Sequence, residues 1–434
     1  MPVLDLPTDQ QRGLLINVER AQALMESRAV DALVAAHPVN VYYFSNFWTV
    51  LERMGFDFPS LALYPRTTAS RPAAAAHTLV ASAAQIWRLA SGELEHPPNL
   101  VAYTAASPAE DTTAPRAGAG EPLASPATPW PFRAGAQLSA IQQRWRSAST
   151  RLAGREAASA IDGMVRTLRD AGLARGRIAT DDARLGTALL AAGLPELQVV
   201  CDPNLFRRLR VVKSAAEVQL MRIAARLNAD ACVATARQVQ EGTTTDEIEA
   251  LFGIEVSRRG GERVFIVAGS TGGFPHGSAQ RGEPFLIDAV SHYRHYHGDF
   301  GRTVIIGEPD AETLRRVEAL RIGWQASFEA LRPGRRYSQI RSAGLEAMKR
   351  AGYGSYLTVA NPHSVGLQHT DEPFRDGPGY NLKDDLLLEE NMTLTVDFPH
   401  IEVGWGAAHL EDLVLVTRDG AEPLARMDEP LIVV

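Results

Sequence analysis

Apolar residues recur at helical spacing from Val18 to Arg28, where Ala21, Leu24 and Met25 fall on one side of a 3.6-residue period. A short apolar run, Ala32 to Ala35, then reads as a buried strand, and the aromatic run NVYYFSNFW follows from Asn40 to Trp48. Helix and strand patterns keep alternating through MVRTLRDAGLARGRIATDD and LGTALLAAGLPELQVVCD, ending near Asp202, which predicts an α/β domain. After FRRLRVVKS the pattern changes. Ser214 can cap a helix with Glu217 at the capping-box position, and Val218, Met221, Ala225 and Leu227 supply its apolar stripe. Thr244 and Glu247 repeat that signature ahead of Ile248, Leu251 and Phe252. Strands are expected at Arg263 to Ala268, Phe285 to Val290, Arg302 to Ile306, Met392 to Phe398 and Asp412 to Val416, with helices at Ala311 to Leu331 and Ser338 to Arg350. Paired strands with helices inserted between the pairs predict an α+β arrangement, helices covering one face of a sheet. The junction is placed near 210, giving domains of 1–209 and 210–434.

Composition adds bounds to this picture. A chain of 434 residues exceeds the size at which one hydrophobic core stops growing, in keeping with two domains. Residues 105–133 shift to Ala, Pro, Ser, Thr and Gly, and read as a surface excursion inside the first domain. The net charge of −7 leaves no basic footprint, which argues against nucleic acid or an anionic membrane as partner. Cys201 and Cys232 stand apart without CxxC spacing, so neither a disulfide scaffold nor a cysteine zinc site is expected, and a reducing compartment suits them. The opening MPVLDLPTDQQRGLL lacks a basic stretch followed by an apolar one, and no 18-residue apolar run occurs, so a cytoplasmic location is expected.

The candidate chemistry lies in the second domain, where eight of the eleven histidines fall between 276 and 409. The segment IDAVSHYRHYHGDFGRTV, from Ile287 to Val304, reads as a β-hairpin centred between Tyr293 and Arg294. Asp288 would then lie opposite Asp299, with Cβ atoms about 4.5–5.5 Å apart. Two ionised carboxylates so placed repel. Either one holds a proton, or both face open water at a charged hairpin tip, or a cation lies between them. The apolar flanks of Asp288 favour the cation. FPHG places His276 in a Gly-rich approach, NPHSVGLQHTDEP places His363 and His369 in a loop, and MTLTVDFP and HLEDLVLVT set Asp397 and Glu411 in apolar strands. Carboxylates seldom occupy such strands unless paired or bound to metal. Asp288, Asp299, His363, Asp397 and Glu411 form an oxygen-rich set with one imidazole, suited to two divalent ions, manganese before cobalt or zinc. His276 is the candidate to donate a hydrogen bond to substrate, and position alone suggests Arg302 and Glu372 as substrate contacts.

In order and spacing these motifs resemble the pita-bread metallopeptidases, the family of prolidase, aminopeptidase P and creatinase. The resemblance rests on His276, on Asp288 with Asp299 eleven residues later and then Arg302-Thr303, on HSVGL at 363–367, and on Asp397 and Glu411. It extends more weakly to RAVDALVAAHPVNVYYFSNF, which is similar to the creatinase-type amino-terminal domain. Three positions depart from the family pattern. Asp397 stands where a Glu is usual, His369 follows His363 by six residues rather than seven, and Ala289-Val290 replaces small residues. The resemblance implies a pita-bread catalytic domain behind a smaller α/β domain. It implies that Asp288 binds one ion, that Asp299 and Glu411 bridge both, and that His363 with Asp397 holds the other. The ions would activate a shared water to cleave Xaa-Pro bonds, as a dipeptidase or an aminopeptidase, in a homodimer, and His369 would assist proton transfer. Other hydrolase or lyase chemistry on the same scaffold (creatinase-like, ectoine hydrolase-like or sulfonium lyase), or a catalytically silent binding protein, is the alternative.

Overall fold

A computed structural model describes residues 13–48, 54–55, 58–68, 77–85, 97–104, 132–270, 277–356, 358–376, 382–425 and 429–434. All but the last two residues of the 105–133 excursion, and His276, lie outside the described residues. The chain divides into two compact units between Leu209 and Arg210.

The amino-terminal unit is built on a six-stranded mixed sheet of β1 (Ala32–Ala35), β2 (Leu61–Pro65), β3 (Thr78–Ser82), β4 (Asn99–Tyr103), β5 (Arg177–Thr180) and β6 (Gln198–Cys201), ordered β4-β3-β2-β1-β5-β6. Its core joins Val34, Leu63, Val80 and Ile178 of the sheet to Met164 and Leu168 of the helix Ala160–Asp170. The aromatic run begins in a helix, Pro38–Ser45, with proline in its first turn, where a missing N–H costs no hydrogen bond.

The second unit carries a nine-stranded sheet. Its strands are β7 (Glu262–Gly269), β8 (Phe285–Tyr293), β9 (Tyr296–Ile305), β10 (Asn361–Ser364), β11 (Thr393–Glu402), β12 (Gly406–Asp412), β13 (Val414–Val416), β14 (Ala421–Pro423) and β15 (Leu431–Val433). The order is β14-β13-β11-β12-β9-β8-β7, with β10 added to β11 and β15 running parallel to β9. Helices cover one face. Ala215–Ala236 lies so close to β9 that a Cβ at Gly298 would strike Ala224 O and the Asn228 side chain, and Asn228 Nδ2 donates to Ala289 O at 2.6 Å. Helices Ala311–Ala330 and Tyr337–Met348 pack through Gly323 and Gly344 onto Phe398 of β11.

The hairpin differs from expectation in register. Tyr293 pairs with Tyr296 around Arg294 and His295, whose φ values of 47° and 70° place both in the left-handed region. A two-residue turn of that kind matches the twist of the strands, although neither residue is one usually chosen for it. Asp288 consequently faces Gly301, and Asp299 faces Val290. The shift is two residues, so both aspartates keep a common face as diagonal neighbours.

Both expected capping boxes form, and the first is buried. Glu217 is 1% exposed; its Oε2 accepts from Ser214 N at 2.8 Å and its Oε1 accepts from Tyr296 OH at 3.1 Å. Burial pushes its carboxyl up to about 8 against the opposing pull of Lys213, Ser214 and Tyr296. A folded value above the unfolded one stabilises the fold fully below the unfolded value of 4.5, and that contribution is lost as pH rises through about 8. Glutamine in its place can still accept from Ser214 and donate to Tyr296. Glu217→Gln should therefore flatten the fall in urea midpoint between about pH 5 and about pH 8.5, by a few kcal/mol at about 1.4 per unit. Parallel profiles for the two proteins would show that Glu217 does not titrate there.

Candidate metal centre

Strand parity assembles the centre. Gly301 of β9 pairs with Asp288 on β8 and with Glu411 on β12, so the three stand in one row across adjacent strands with glycine in the middle. Asp299 and His409 lie two residues along β9 and β12 and share that face. On β11, Asp397 precedes Phe398, whose partner Leu410 precedes Glu411, and β10 brings His363 opposite Thr395. Side chains that pack on the helices, Phe300, Arg302 and Phe398, come from the intervening positions and point to the other face.

His363 Nε2 is the hub of the carboxylates, 3.4 Å from Asp397 Oδ1, 3.6 Å from Asp299 Oδ2 and 3.9 Å from Glu411 Oε1. His369 Nε2 lies 3.1 Å from Asp299 Oδ2, and His409 Nε2 lies 3.5 Å from Glu411 Oε2. Three overlapping groups have ligand atoms within 4.8 Å of one another: Asp299, His363 and His369; Asp288, His409 and Glu411; His363, Asp397 and Glu411.

His363 lies on β10 rather than in a loop, and the turn after it, which carries His369, is held from beneath. Arg210, 2% exposed, donates through Nη2 to Asp371 Oδ1 at 2.6 Å and to Gln368 Oε1 at 2.9 Å. Ser364 N donates to Glu372 Oε2 at 2.8 Å, and Gly366 O accepts from His297 N at 2.9 Å. This turn delivers His369 to Asp299 from a position one residue earlier than the family spacing.

Electrostatics in the centre call for positive charge. Burial first, then repulsion from Asp299 and Asp397, raises the Asp288 carboxyl well above the usual range. Glu411 is raised in the same way by burial and then by Asp299, Asp397 and Asp288, and it shares a hydrogen bond with Asp397. Burial opposes charge on His363, but Asp397 and Asp299 overcome it and lift the imidazole to about 9; His363 in turn lowers Asp397. Even so, both oxygens of Asp299, Asp397 Oδ1 and Glu411 Oε1 are buried without a hydrogen-bond donor among the described residues. Such groups are costly to bury unless a cation meets them, so the donor set fits divalent ions.

The two expected substrate contacts are both buried. Arg302 is 0% exposed on the helix-facing side, donating through Nη1 to Gly301 O and Glu411 O, both at 2.8 Å, and through Nη2 to Asp412 Oδ1 at 2.7 Å. Its even position sets it on the face opposite Asp299. Glu372 is buried beneath the loop, between Ser364 N and Lys383 Nζ at 3.1 Å. His409 is the residue the sequence reading passed over. Its signal was the i, i+2 spacing to Glu411 in a strand.

Residues 219–418 match the model of metallopeptidase family M24. The domain formed by these residues belongs to that family. An Xaa-Pro dipeptidase of Pyrococcus furiosus is 27% identical over 239 residues, which are 53% of this chain and 67% of that protein. A probable dipeptidase, PepE, of Mycobacterium tuberculosis is 30% identical over 257 residues, 56% of this chain and 66% of that one. Among solved structures, a prolidase from Pyrococcus horikoshii aligns with a TM-score of 0.63 at 18% identity, over 96% of this chain and 99% of that one. The chain thus has the pita-bread fold of the prolidases. No helix among the described residues is long and apolar enough to cross a membrane.

Proposed function

We propose that this M24 chain hydrolyses the Xaa-Pro bond of short peptides at a two-ion centre held by Asp288, Asp299, His363, Asp397 and Glu411, with manganese as the preferred metal. The observation that carries this reading is the convergence of orphaned carboxylate oxygens from three strands around His363 on one buried face. The names of the archaeal relatives support proline as the residue after the cleaved bond. Bound divalent ions supply Lewis acidity and lower the pKa of water toward neutrality.

The chain's own residues supply position and proton transfer. Asp299 and Glu411 lie between the other ligands, where each would help hold both ions. Asp397, with the shorter side chain, reaches His363 without help from a displaced strand, since β11 retains its pairing with β10 and β12. His369 has a side chain 32% exposed and its Nε2 lies at the edge of the ligand set, 3.1 Å from Asp299 Oδ2, where it can pass a proton to substrate or solvent. The reading includes a homodimer in the cytoplasm.

Protein stripped with chelator should lose activity on Xaa-Pro dipeptides and regain it with manganese. Longer Xaa-Pro peptides then separate a dipeptidase from an aminopeptidase, and non-proline dipeptides serve as controls. Inactivity on every substrate of a manganese-loaded sample with two ions per chain would overturn the peptidase reading.

A further inference from the structure

His409 is 2% exposed, and both its ring nitrogens lack hydrogen-bond partners among the described residues. Leaving two polar atoms buried in this way is costly, so the ring is not there for packing alone. Three further observations fix where it is directed. Its Nε2 lies 3.5 Å from Glu411 Oε2, and its ligand atom falls within 4.8 Å of those of Asp288 and Glu411. The backbone is pinned on both sides, His409 N donating to Thr303 Oγ1 at 3.0 Å and Thr303 Oγ1 donating to His409 O at 3.1 Å. The ring occupies the space over Gly301, where a Cβ would strike its Nδ1 and Cε1 atoms. Gly301 is the member of the Asp288–Gly301–Glu411 row that has no side chain, and His409 fills the gap it leaves.

We infer that His409 is a sixth ligand of the centre, binding through Nε2 the ion held by Asp288 and Glu411. This rests on the two-ion reading above. Each ion position then has one imidazole, His363 in one and His409 in the other, where the five-residue set leaves the Asp288 position with carboxylates alone. An imidazole at that position favours zinc or cobalt over manganese relative to an all-oxygen site.

The wild-type protein is compared with His409→Gln, because His369 also lies within ligand distance of Asp299 and His363 and could contribute an imidazole of its own. Each is loaded with cobalt, its metal content is measured by mass spectrometry, and the imidazole scattering is counted by X-ray absorption at the cobalt edge. Two ions per wild-type chain with an average of at least about one imidazole per ion is the expected result; about one-half, from His363 alone, overturns the proposal and leaves the two-ion reading intact. Wild-type protein that takes up no cobalt overturns both. His409→Ala should weaken cobalt binding at one position by about 100-fold or more, and should shift the zinc-to-manganese preference toward manganese. His409→Gln, which keeps the space over Gly301 filled, should retain the fold of the metal-free protein with the same loss of imidazole signal. An unchanged imidazole count in a folded His409→Gln protein that holds both ions would rule out ligation.

Discussion

Glu411→Gln is expected to abolish hydrolysis, by at least about 10³-fold, and at the same time to make the metal-free chain harder to unfold at neutral pH and above. The two effects have one cause. Glu411 lies 3.9 Å from His363 Nε2 and 3.5 Å from His409 Nε2, in a row with Asp288, and is 1% exposed. In the two-ion centre proposed above its two oxygens would serve both ions; an amide offers one weaker oxygen, and metal stoichiometry should fall along with rate. Without ions, burial and then the charges of Asp299, Asp397 and Asp288 raise its carboxyl well above 4.5. Its contribution to stability is therefore present below the unfolded value and lost as pH rises toward the folded one. Glutamine reproduces the protonated form, including the donor toward Asp397, at every pH. The gain in metal-free stability above neutrality should be on the order of 1–3 kcal/mol. Urea unfolding with and without chelator, beside metal analysis, reads both effects. A variant that loses stability in chelator would show that Glu411 supports the fold rather than straining it.

The parts of the fold that were legible in the sequence are those set by local rules. Ser214 with Glu217 and Thr244 with Glu247 mark helix starts because capping chemistry acts over three residues. Asp288 and Asp299 could be assigned to one face because strand parity survives a two-residue error in register. The error itself arose at the turn, since Arg294 and His295 adopt positive φ without the Gly, Asn or Asp that advertises it. Position alone, without regard to parity, suggests Arg302 as a substrate contact. Its position beside Thr303 suggested the site, yet the same alternation that brings Asp299 and Gly301 to the metal face sends Arg302 to the helices. His369 shows the limit of spacing rules in loops, where Arg210, remote in sequence, holds Gln368 and Asp371 and so helps decide which residue reaches Asp299. His409 was missed because its role depends on Gly301, a residue more than a hundred positions earlier whose missing side chain makes the space.

Replacing Arg302 by methionine should cost about 3–5 kcal/mol of stability, measured by urea unfolding in chelator, because it leaves a buried carboxylate without the guanidinium that faces it. Asp412 is 6% exposed, and Arg302 Nη2 donates to its Oδ1 at 2.7 Å while the guanidinium lies 4.1 Å from the Phe300 ring centroid. The same guanidinium donates to the carbonyls of Gly301, Glu411 and Glu429, tying β9 to β12 directly behind the ligands. Lysine retains the charge but not the fork, so Arg302→Lys should fall between wild type and Arg302→Met. Adding Asp412→Leu to Arg302→Met removes the stranded charge and should recover much of the loss, which a double-mutant cycle would report as coupling. A substrate-binding arginine would behave differently, raising KM with stability untouched. An Arg302→Met protein within about 1 kcal/mol of wild type and impaired only in KM would restore the substrate role that its burial now argues against.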